Sequence, residues 1–180
     1  MNLRRLQITG PFGSPYRLGG VMNILDGEAL LGTIDPVPVS NGGSVVHIEH
    51  FRPATMVSDA QIHIGRLIFL EICQFLADGF QQVQTVSFTF TRRVDILGGG
   101  SQQAAARAET MERIGAVGVS ITPHAMAGHF VVSGQWHYNR ENLRALGVVL
   151  VEERLRYTKW ALQARPAPGV LKGLRSLLVR

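Results

Sequence analysis

The sequence predicts an α+β fold: one domain built on a mixed, mostly antiparallel sheet flanked by helices, with a helical extension at its C-terminal end. Three observations carry this. Residues 60–78 form a long run with so few polar positions that a helix there must be buried on most sides. The segments around it are rich in β-branched and aromatic residues in alternation, the pattern of strands. Short turn signals such as Asp26-Gly27 join several of these segments, and short turns go with antiparallel pairing.

Each element has its own reason. A first strand is expected at Leu3–Thr9, broken by the turn-rich Gly10–Pro15. Tyr16–Leu25 and Ala29–Ile34 read as a hairpin around Asp26-Gly27-Glu28. Pro36 and Pro38 end it, and Asn41-Gly42-Gly43 makes another turn. In Ser44–Phe51, Val46, Ile48 and His50 alternate with Val45, His47 and Glu49, a strand stopped by Pro53. Ser58 and Asp59 can cap the long helix, whose apolar stripe is Ile64, Ile68, Ile72 and Phe75, and Gly79 ends it. Val83–Thr91 is a strand with Val86, Phe88 and Phe90 on one face. Gly98–Ser101 is a break before a helix at Gln102–Ile114, closed by Gly115. Strands at Val117–Ile121 and His129–His137 surround a loop holding Pro123, Ala127 and Gly128. Asn139 caps a helix from Arg140 to Arg156 or somewhat beyond, and Val170–Val179 is a last short amphipathic segment. The chain thus divides into a domain at 1–140 and a helical extension at 141–180, which packs on that domain or on a partner.

Composition narrows the class. At 180 residues and 46% apolar content the chain can bury a substantial core, and no tract is of low complexity. One cysteine, Cys73, excludes an internal disulfide framework; inside an apolar helix it reads as an inert core thiol. No Cys/His spacing suggests a metal. Gln61, His63, Arg66, Glu71 and Gln74 are spread through the long helix, which argues against a membrane span, and Met1–Ile8 lacks a signal-peptide core. A cytoplasmic protein is the expectation. Net charge is +5 with a pI near 10.1. Arg154, Arg156, Lys159, Arg165, Lys172, Arg175 and Arg180 follow the last acidic residue, Glu153, so the excess reads as a solvated C-terminal face, with an electrostatic docking site as the alternative. Without interleaved aromatics, nucleic acid is disfavoured as a partner.

The element order, together with Phe51-Arg52-Pro53, His63–Phe80, Val83–Phe90, Ala105–Ala116, Val119–Thr122 and His129–Trp136, resembles the GCN5-related N-acetyltransferase (GNAT) fold over roughly residues 3–138. The resemblance implies that Val45–Phe51 splays from Val83–Phe90 to open a slot for acetyl-CoA or another acyl-CoA. It implies that backbone amides of the turn at Ile62, His63, Ile64, Gly65 and Arg66 hold the pyrophosphate, since a helix start gathers unpaired donors and positive dipole. It places Arg107–Ala116 beside the pantetheine. Two positions depart from the family pattern. The Arg/Gln-x-x-Gly-x-Gly/Ala turn is here Ala60–Gly65, keeping only its last glycine, with His63 in place of another. Where the family often has a tyrosine that protonates the leaving thiolate stands Met111, which cannot donate. At most weak acyl-CoA binding is expected from these departures.

Glu49 and His47 share one face of the splayed strand and are the candidates for deprotonating an acceptor amine. His124 and His129 flank a loop without metal-ligand spacing, and Trp136 and Tyr138 read as packing or a pocket wall. Two function classes follow: an acyl-CoA-dependent N-acyltransferase of unusual type acting on an amine, or a non-catalytic GNAT-fold binding protein, of the immunity or regulatory kind, that occludes a protein partner. A homodimer through the C-terminal helices is a further expectation.

Overall fold

The computed structural model describes residues 3–54, 64–93, 100–124 and 129–163. In chain order these form β1 (Gln7–Thr9), β2 (Met22–Asp26), β3 (Ala29–Ile34), β4 (Val39–Ser40), β5 (Val45–Ile48), β6 (Arg52–Pro53), α1 (Ile64–Gly79), β7 (Thr85–Arg93), α2 (Gly100–Arg113), β8 (Val117–Pro123), β9 (His129–His137) and α3 (Arg140–Gln163). The strands make two sheets, ordered β1-β2-β3-β6 and β4-β5-β7-β9-β8. Among these described strands every neighbouring pair is antiparallel except β5 with β7, so the expected α+β, mostly antiparallel architecture holds.

Local chemistry explains most boundaries. Asp26 pairs with Ala29 across a tight turn in which Gly27 takes φ 62°, a conformation glycine adopts without penalty. The expected first strand is shorter, Gln7–Thr9, because the chain ahead of it bonds elsewhere. The Arg4 N–H donates to Thr158 Oγ1 at 3.0 Å, and the Leu6 N–H donates to Glu71 Oε1 at 3.4 Å. Gly100 and Ser101, expected as part of a break, belong to α2. Asn139 caps α3 as the sequence suggests: its Oδ1 accepts from the Asn142 N–H at 2.8 Å.

The core gathers around α1. Leu67, Leu70, Ile72, Cys73 and Leu76 are fully buried. Phe69 meets Phe88 and Phe90 edge-on, with ring centroids 5.1 and 5.2 Å apart. At the far end of α1 the Tyr138 hydroxyl donates to the Cys73 carbonyl at 2.8 Å, while the fully buried Trp136 donates from Nε1 to the Ile114 carbonyl at 2.7 Å.

α3 lies along α1 and reaches Gln163, within the expected run to Arg156 or somewhat beyond. Arg154 therefore does not belong to a solvated basic face, whereas Arg156 stays exposed. Arg154 forks onto Glu71 of α1 with bonds of 2.8 and 2.6 Å, and Arg156 pairs with Glu153 at 2.6 Å. Tyr157 donates to Asp26 Oδ2 at 2.7 Å, and Arg4 pairs with the same carboxylate. Among the described residues, no helix is long and apolar enough to cross a membrane.

Candidate functional site

The two parallel strands pair only briefly. β5 and β7 run in register from Val45 opposite Thr85 to Ile48 opposite Phe88. β7 then continues on β9 as far as Arg93 opposite His129. The other chain turns away: Arg52 and Pro53 pair with Thr33 and Gly32 of β3, in the second sheet. One stretch of backbone thus starts in one sheet and ends in the other.

His50 makes the turn. Its φ of 52° is left-handed, sparsely populated for a residue with a Cβ, and it breaks the alternation that would have set His50 beside Val46 and Ile48. The histidine ring is instead 87% exposed, and its Nε2 lies 3.8 Å from Glu49 Oε2. Past the turn, Phe51 lies across Gly32. A Cβ on Gly32 would stand 2.2 Å from Phe51 Cζ and 2.6 Å from the Arg52 carbonyl oxygen, so only glycine permits this crossing. The result is a notch between Glu49–Arg52 and the part of β7 beyond Phe88; no other described strand fills it.

The first turn of α1 comes to the β7 side of this notch. The Arg107 guanidinium of α2 lies over the Phe90 ring, 5.4 Å from its centroid, and its Nη2 is 3.3 Å from where a Cβ on Gly65 would stand. The Arg107 cation thus lies beside the first described turn of α1. Arg107 was not singled out as a ligand from the sequence. The available signal was its spacing of four from Met111, which puts both on one face of α2.

The candidate residues are distributed unevenly around this geometry. Ile62 and His63, with most of the expected pyrophosphate turn, lie outside the described residues. The Ile64 side chain is buried in the core, and Gly65 leaves beside Arg107 the room a Cβ would narrow. Arg66 is directed toward α3, its Nε 3.6 Å from Glu153 Oε1, on a carboxylate that also accepts from Arg156. Glu49 is the first residue past the paired segment, with its side chain 34% exposed. His47 lies on the same strand face but is held by a different partner, with Nε2 2.9 Å from Ser40 Oγ. Met111 is fully buried. Burial raises the Cys73 thiol well above its ordinary range, which keeps it protonated and inert. Among the described residues no group of His, Cys, Asp and Glu is arranged to hold a metal ion.

Gly65 leaves room beside the Arg107 guanidinium, and the Met111 thioether cannot donate a proton. No family model matches the chain, and no curated protein matches it in sequence. Among solved structures it is similar to a protein from Desulfovibrio desulfuricans assigned to the GNAT acetyltransferases, at 12% identity and a TM-score of 0.37 over 65% of this chain and 67% of that one.

Proposed function

We propose that this GNAT-like protein binds an acyl-CoA in the notch and transfers its acyl group to an amine. The observation that carries the reading is the parting of β5 from β7 after Ile48 and Phe88, where the chain leaves for β6 in the other sheet. It leaves strand-edge backbone groups for an extended amide chain on one side and the Arg107 cation on the other. Acyl-CoA supplies the thioester: the amine nitrogen forms the new C–N bond, the C–S bond breaks, and the amine's proton must leave.

Glu49 is placed to take that proton, directly or through a water, because it stands at the mouth of the notch and keeps solvent access. His47, fixed by Ser40, is the second candidate. Arg107 binds phosphate, and Phe90 orients its guanidinium plane. The departing thiolate receives its proton from solvent, since Met111 cannot give one.

The buried Met111 favours a second reading, in which the fold binds a protein partner without catalysis. Thermal melting with acetyl-CoA, coupled to a CoA-release assay on a panel of amines, separates the two. The proposal expects a raised midpoint and CoA release that Glu49→Gln lowers at least about tenfold without changing the melting temperature. A raised midpoint without CoA release supports the second reading. No shift at saturating acetyl-CoA refutes cofactor binding altogether.

A further inference from the structure

α3 presents two opposite faces. Leu146, Val149, Leu150, Glu153 and Tyr157 are buried against the protein, whereas Val148, Val151, Leu155 and Leu162 are 57%, 51%, 37% and 57% exposed. With about 3.6 residues per turn the four exposed residues fall in one strip directly opposite the buried face. Their steps of three, four and seven are the spacing of a coiled-coil seam. A strip of this kind gains from removal from water, and scattered surface apolar residues do not line up in this way.

We propose that this strip packs against the same strip of a second copy of the chain, with the two α3 helices antiparallel about a two-fold axis at Leu155. The charges beside the strip select this occupant. Glu152 and exposed Lys159 lie on the same flank, nearly equidistant in sequence from Leu155 and of opposite sign. Antiparallel pairing about Leu155 puts Val148 opposite Leu162 of the partner subunit, and Glu152 opposite Lys159 of the partner subunit. The same contact occurs twice, as a two-fold interface requires. Arg113 of the same chain, already 2.7 Å from Glu152, adds a second cation to the cluster.

The seam lies on the side of α3 turned away from α1, so dimerisation leaves the notch accessible. The test is sedimentation equilibrium on the full chain. Wild type is expected to be a dimer, and Leu155→Glu a monomer with unchanged far-UV circular dichroism. Glu152→Lys and Lys159→Glu are each expected to weaken association at least about tenfold, and the double reversal to recover most of the loss. A monomeric wild type overturns the proposal, as does a dimer that survives Leu155→Glu. A double variant no better than either single one overturns the antiparallel register.

Discussion

The Glu71 carboxylate of α1 takes both arms of the Arg154 guanidinium of α3, at 2.8 and 2.6 Å, with the two side chains only 5% and 11% exposed. Charges this deep are tolerated only as a pair, because each alone would lack water and partner. Glu71→Ala should therefore cost about 3–5 kcal/mol, a fall of on the order of 10 °C in the melting midpoint. Replacing both at once, Glu71→Leu with Arg154→Met, should cost less than either single truncation. Calorimetry of the variants decides between these outcomes.

The crossing of Phe51 over Gly32 gives a second expectation. Gly32→Ala puts a methyl group into the Phe51 ring and the Arg52 carbonyl, and backbone cannot yield as a flexible side-chain end can. A loss of about 1–3 kcal/mol is expected. Gly134→Ala should behave similarly, since its Cβ would meet Phe88 Cζ at 2.7 Å. Urea unfolding checks both.

Alkaline pH supplies a third. Burial raises Tyr138, with the nearby Cys73 adding to it, and burial followed by the Asp26 hydrogen bond raises Tyr157. Cys73 is raised by burial as well. All three hold their protons more tightly folded than unfolded. Their contribution is complete below the unfolded values of about 8.5 for the thiol and about 10 for the phenols, and is lost as pH climbs from there toward the folded values. The melting midpoint should fall steadily above about pH 9, and Tyr157→Phe should make that fall shallower. A midpoint independent of pH over this range would contradict the assignment.

Much of this architecture was legible because it is written in local patterns. The α1 run announces burial by its lack of polar positions, the Asp26-Gly27 hairpin by its turn chemistry, and α3 by Asn139. What was not legible depends on contacts far apart in sequence. Nothing local says that Arg154 will find Glu71, so the C-terminal charge looked solvated when part of it is buried. His50 continues a perfect alternation, and only the tertiary pull of β3 on Arg52 turns it outward. Glu49 and His47 were visible as a pair on one strand face, but their separate partners, His50 and Ser40, depend on the left-handed turn at His50 and on the pairing of β4 with β5. Arg107 gained its place only when α2 docked beside Phe90.

Hydrogen exchange with and without acetyl-CoA tests the notch most directly. The account predicts slowed exchange concentrated in peptides covering Glu49–Arg52 and Thr89–Arg93, and weaker protection of the same peptides in Arg107→Gln. Protection spread over the outer face of α3, or none at saturating acetyl-CoA, would contradict it.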